Sequence, residues 1–197
     1  MENMLLFFMA ALTALSAENA IFARSLGLSK TVLFINRPQA GILYGALFTW
    51  MITVSSLLVS GLNRFLTGNP HVSVLRFPGF LACVSLVYVC TYLCTKQWMR
   101  QLFNIIHRAL PVSTFNSALF GAFYVSAANA HGVFQTVGYA LGTGVGYTIA
   151  ILIIYYARKR LAISPVPRSF RGLPVLLVYI GLLSLALYGL IGHGLPT

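Results

Sequence analysis

Six apolar runs, 4–23, 40–61, 77–95, 109–128, 132–157 and 173–192, take up most of this chain. Each is close to the ~20 residues an α-helix needs to cross a bilayer. Five contain no charged residue, and the first contains only Glu18. In hydrocarbon a backbone must satisfy its own N–H and C=O groups, so runs of this length read as helices. The expected fold is an all-α integral membrane protein, six transmembrane helices in one domain over 1–197. Only 8% of residues are charged, where a soluble domain carries about 25%. A water-facing surface cannot be built from that supply.

The charge is lopsided. Thirteen Lys and Arg stand against two acids, Glu2 and Glu18, a net charge of +11. A basic excess of this size suits nucleic acid, but here the cations sit in short gaps between apolar runs, as in membrane proteins. No nucleic-acid partner is expected. The first gap holds Arg24, Lys30 and Arg37, the third Lys96, Arg100 and Arg108, and the fifth Arg158, Lys159, Arg160, Arg168 and Arg171. The second holds Arg64 and Arg76, and the fourth none. Alternate gaps therefore carry eleven against two. The positive-inside rule assigns the eleven to the cytoplasm of a cell's inner membrane, with both termini extracytoplasmic. The first run lacks a basic leader and reads as a mature helix.

The runs divide into two sets of three, 4–95 and 109–192. A duplicated unit with an odd number of spans inserts upside down, the inverted-repeat plan of many transporters. Asn19 in the first run and Asn116 in the fourth are the internal echo.

Polar residues inside the runs mark candidate chemistry. Glu18 and Asn19 sit in the first, and a carboxylate in hydrocarbon costs at least ~2.5–3.5 kcal/mol. Such a group pairs, takes a proton or faces a cavity. In the fourth run Ser113, Thr114, Asn116 and Ser117 cluster between Pro111 and Gly121, a pattern for an interrupted helix. Unwound backbone at membrane depth survives only where protein or a cavity surrounds it. Glu18 is accordingly expected to face inward, against Ser113, Thr114 and Asn116, as an ion path. The competing reading is interhelical hydrogen bonding, worth about 0.6 kcal/mol per bond.

Other features read as structural. Gly138, Gly142 and Gly146 recur every four residues, a face for close helix packing. Cys83, Cys90 and Cys94 lie on one helix face without a disulfide or metal pattern, and His71, His107, His131 and His193 show no ligand spacing. No metal site, cofactor motif or soluble catalytic apparatus is expected in the chain, which is not catalytic by itself.

Several segments resemble the Rnf/Nqr membrane subunits. Arg158-Lys159-Arg160-Leu161-Ala162, Val166-Pro167 and Phe170-Arg171-Gly172 are similar to the segment before the family's last helix, and Leu182-Leu183-Ser184-Leu185-Ala186 to that helix. Leu110-Pro111, Thr114, Asn116, Ala118 and Gly121 resemble its fourth-helix signature, and Glu18-Asn19 with Leu26-Gly27-Leu28 its first. The similarity covers nearly the whole chain.

The resemblance implies a six-helix subunit of the RnfA/NqrE type with inverted three-helix repeats and helices 1 and 4 interrupted. Its implied partners are a homologous subunit of opposite topology and the other chains of an ion-translocating (Na⁺ or H⁺) electron transport complex. The family pattern has a Cys after the Leu-Gly-Leu turn and another after the fourth-helix Asn, ligands of a two-iron two-sulfur cluster shared with the partner. Here those positions are Ser29 and Ser117, and an alkoxide is a poorer match for iron than a thiolate. The expected role is scaffold and ion path with the cluster site lost. The alternative is a stand-alone or homodimeric small-solute transporter on the same scaffold.

Overall fold

The computed structural model describes residues 2–29, 38–66, 72–98, 103, 105–129, 131–165 and 167–191. Lys30, Asn36, Arg37, Gly68, Asn69, Pro70, His71, Arg100, Val166 and His193, which carry part of the sequence pattern, lie outside the described residues.

The described elements are helical throughout. In chain order they are α1 (Glu2–Leu15), α2 (Pro38–Leu66), α3 (Val72–Trp98), α4 (Leu110–Thr114), α5 (Ser117–Ala128), α6 (Val133–Ile163), a 3₁₀ turn (Arg168–Phe170) and α7 (Leu173–Ile191). Among the described residues three helical stretches are long and apolar enough to cross a membrane: Gln39–Leu66, Val74–Trp98 and Val133–Ile163. Asn3–Leu15 and Leu173–Gly189 are shorter apolar helices. Large apolar side chains such as Leu5, Trp50, Leu86, Tyr156 and Leu182 point outward, a surface suited to lipid.

The spans expected at 40–61, 77–95, 132–157 and 173–192 fall on α2, α3, α6 and α7 with ends shifted by a few residues. The first run does not hold as one helix: α1 stops at Leu15, and helix resumes only at Leu28. The fourth run is divided between α4 and α5.

α6 is the axis of the bundle. Its glycines allow this. A Cβ on Gly138, Gly142 or Gly146 would run into the backbone of α1 at Phe7, Ala11 and Leu15. Gly144, on another side of the same helix, faces Thr49 of α2 in the same way. Three glycines at a spacing of four therefore let two helix backbones touch. Around this contact Tyr44, Phe48, Met51 and Ile52 of α2 pack with Tyr147, Ile151 and Ile154 of α6 in a fully buried core. The Phe48 and Tyr147 rings lie 4.5 Å apart, centre to centre.

Candidate functional site

The first break is built by Asn19. Its Oδ1 accepts from the backbone N–H groups of Ile21 at 3.0 Å and Phe22 at 3.3 Å, the geometry of a helix N-cap. A short turn follows, with Ala23 N–H donating to the Asn19 carbonyl at 2.9 Å and Ser25 N–H to Ile21 at 3.0 Å. It ends where Ser25 takes φ 54° and Leu26 N–H returns to the Ala20 carbonyl at 2.7 Å. That is a Schellman-type stop. Gly27, at φ 75°, completes the reversal. The Asn19 amide nitrogen donates to the carbonyls of Leu15 at 3.2 Å and Gly146 at 3.1 Å.

The second break follows the same plan. α4 ends at Phe115, whose φ −89° and ψ 66° are not helical, and Asn116 caps α5 by accepting from Ala118 N–H at 3.2 Å. Ser113 and Thr114 donate back to the Leu110 carbonyl at 2.9 and 2.7 Å. Both hydroxyls are buried against their own helix.

The two breaks meet in a buried hydrogen-bond network. The Asn116 amide nitrogen donates to the Tyr44 hydroxyl at 2.9 Å and the Tyr147 hydroxyl at 3.1 Å. Tyr147 donates to the Gly27 carbonyl at 2.7 Å, and Gly27 N–H donates to Ser117 Oγ at 2.9 Å. A Cβ at Gly27 would lie 2.6 Å from the Tyr147 hydroxyl and 2.8 Å from Asn116 Oδ1. The non-helical backbone is thus enclosed by protein, as membrane depth demands.

Glu18 lies elsewhere. It was expected to meet Ser113, Thr114 and Asn116. The structure instead pairs it with Arg24 at 3.1 Å, and the Tyr139 hydroxyl donates to the same Oε2. The physical reason is local: the turn of 19–25 carries Arg24 back beside Glu18, so the compensating charge comes from six residues away. Arg24 therefore belongs to this pair and not to the cytoplasmic charge count, which becomes ten against two. Both side chains are about one-third exposed, at 34% for Glu18 and 38% for Arg24. His131, in the turn before α6, has its ring 5.6 Å from that of Tyr139. Burial holds His131 below the usual imidazole range, and the Glu18 charge pulls the other way.

Arg24, Tyr139, Tyr44 and Tyr147 were not singled out in the sequence. The available signal was Arg24 itself, a cation six residues from the one intramembrane acid. The tyrosines gave none, because aromatic residues are ordinary in apolar helices.

Ser29 and Ser117 are both exposed. Their fit to an iron–sulfur cluster fails on donor chemistry: both offer hydroxyls, and that of Ser117 is already the acceptor for Gly27 N–H. Cys83, Cys90 and Cys94 all sit on α3, away from these two serines in the chain and on another element. No group of three or more His, Cys, Asp or Glu is assembled among the described residues.

Known proteins share this sequence along its length. The chain is 27% identical over 192 residues to RnfA, a component of the ion-translocating oxidoreductase complex, from Syntrophotalea carbinolica, covering 98% of each chain. It is 27% identical over 175 residues to the protein of that name from Thioalkalivibrio sulfidiphilus, 89% of this chain and 91% of that one. With its counterpart in Shewanella sediminis it shares 24% identity over 186 residues, 94% and 97% of the two chains. The family described as Rnf-Nqr subunit, membrane protein, matches residues 7–193, and this chain belongs to that family of integral membrane proteins.

Proposed function

We propose that the chain is the RnfA-type member of an ion-translocating electron transport complex, a scaffold and ion path that carries no iron–sulfur ligand. The observation that carries this reading is the pair of helix breaks joined through Asn116, Tyr147 and Gly27. Irregular backbone held at membrane depth is stabilised for a purpose, because it forfeits helical hydrogen bonds. Near-complete coverage of relatives that bear the RnfA name supports the assignment.

In this reading the chain crosses the cytoplasmic membrane six times, with α4 and α5 forming one span and α1 continuing beyond Leu28. Both termini are extracytoplasmic, in line with ten cations against two in alternate gaps. The two halves form an inverted repeat, which the matching roles of Asn19 and Asn116 support. Its partners are a homologous subunit of opposite topology and the redox subunits of the complex. Asn19, Ser113, Thr114 and Asn116 hold the breaks, and Glu18 is the ionisable group of the ion path. Ser29 and Ser117 replace cluster ligands, so electrons pass through other chains.

Purification in mild detergent, with iron analysis and mass spectrometry of co-purifying chains, tests this. Flavin- and iron–sulfur-bearing partners are expected, with no cluster assigned to this chain. Recovery as a homodimer alone would favour the small-solute transporter.

A further inference from the structure

One cleft remains outside the network that joins the breaks. It lies between residues 16–24 and α7, has a volume of about 470 Å³, and is lined by Ser16, Glu18, Phe22, Arg24, Ser184 and Tyr188 among others. We propose that it binds the headgroup of a zwitterionic aminophospholipid, phosphate on Arg24 and ammonium on Glu18.

The first argument is unused hydrogen-bonding capacity. A guanidinium has five N–H donors. Arg24 uses one on Glu18 and lies beside the Tyr139 hydroxyl. On Glu18, both described bonds fall on Oε2, leaving Oε1 open. An unsatisfied guanidinium and carboxylate facing hydrocarbon are costly, so something must meet them there.

The second argument is charge. The cleft carries one cation and one anion in contact. A lone anion on Arg24 would sit beside Glu18, and a lone cation on Glu18 beside Arg24. Either meets a like charge at close range. A ligand bearing both signs a few ångströms apart meets neither.

The third is depth. Tyr139 is six residues from the start of α6, about 9 Å along the axis at 1.5 Å per residue. Tyr188 and Ser184 lie three and seven residues before the end of α7, about 5 and 10 Å from that end. The cleft therefore opens near one end of the bundle, opposite the end that bears Arg158, Lys159 and Arg160 on α6. A headgroup belongs at that depth, with a tyrosine at its rim. The lining residues Ala23, Arg24, Leu185 and Tyr188 are exposed on the bundle's outside, so entry is from the side. Below them Leu177, Val178 and Leu182 expose an apolar wall for acyl chains.

The test uses the full chain, purified in detergent and titrated with phosphatidylethanolamine, phosphatidylcholine or phosphatidylglycerol, read by native mass spectrometry and thermal unfolding. Phosphatidylcholine keeps both charges but has no N–H to give Glu18, and phosphatidylglycerol lacks the cation. Phosphatidylethanolamine should be retained roughly tenfold better than either, the scale of one charge-assisted hydrogen bond. Arg24→Gln and Glu18→Gln should each remove the preference, while Arg24→Lys keeps it and Lys159→Gln leaves it unchanged. Should a glutamine variant fail to fold, the three-lipid comparison on the unaltered chain still decides. Equal retention of all three lipids, strongest retention of phosphatidylglycerol, or a preference that survives Arg24→Gln would overturn the proposal. So would an equal unfolding shift from soluble O-phosphoethanolamine, which would make the ligand a free solute and not a lipid.

Discussion

Asn19 and Asn116 stand 97 positions apart and do the same thing: each caps the helical turn that follows it and each ties that turn to α6, on the adjacent residues Gly146 and Tyr147. A side-chain amide suits the task because its oxygen accepts from the exposed N–H groups of a new helix while its nitrogen still donates. An aspartate offers only acceptors.

Replacing Asn116 with Ala should therefore destabilise the protein by about 1–3 kcal/mol, the sum of a lost cap and a buried amide's bonds to Tyr44 and Tyr147. Asn116→Asp should restore the cap but not the donor, and fall between. Asn19→Ala should behave alike. Unfolding in detergent, followed by tyrosine fluorescence or circular dichroism, measures all three.

The stop after the first break makes a signed pair of predictions. Ser25 sits at φ 54°, which a side chain tolerates at a cost of roughly 1–2 kcal/mol. Ser25→Gly should raise the midpoint of thermal unfolding. Gly27→Ala should lower it more, because the added methyl meets both a left-handed backbone and the Tyr147 hydroxyl 2.6 Å away.

On α6 the glycines divide by what stands opposite. Gly142→Ala should cost about 1–3 kcal/mol, since the methyl would press on the Ala11 carbonyl and backbone cannot swing aside as a side chain can. Gly181→Ala and Gly189→Ala in α7 face open space and should be neutral or slightly stabilising. Parallel thermal melts of the three variants check the contrast.

For Glu18 the informative experiment is a double-mutant cycle. Glu18→Gln keeps an acceptor for Tyr139 but strips Arg24 of its counter-charge. Arg24→Gln does the reverse, and the two together should lose less than their sum, with a coupling of about 1 kcal/mol. Additive losses would mean that the pair contributes nothing. In a reconstituted complex, Glu18→Gln should abolish ion transport while leaving assembly intact. Unchanged transport would remove Glu18 from the ion path.

Ser29→Cys with Ser117→Cys should allow an iron–sulfur signal in electron paramagnetic resonance when a partner supplies two further thiolates. Either replacement alone should not. Ser117→Cys also weakens the acceptor for Gly27 N–H, so a small stability loss should accompany it.

The spans were legible because apolar length is a coarse property that local irregularity does not disturb. The break in the fourth run was legible too: Pro111, Gly121 and four polar residues between them announce it. The break in the first run was not placed, because Ala20, Ile21, Phe22 and Ala23 are as apolar as a helix interior. Hydropathy cannot distinguish a capped turn from an unbroken helix when the cap is a single Asn. The same blindness assigned Arg24 to a loop and sent Glu18 toward the wrong polar neighbours. What links Glu18 to Tyr139 is 121 positions of chain separation, and no spacing rule spans that distance.

Because both amides grip neighbouring residues of one rod, the rod is a common lever. A displacement of α6 along its axis carries Gly146 and Tyr147 together, so it would drag both kinks in the same direction at once. The backbone contact between its glycines and α1 leaves no compliant layer to absorb the stroke. Any force delivered to the far end of α6, where Arg158, Lys159 and Arg160 extend past the packed core, is thereby transmitted to both interruptions as a single mechanical input.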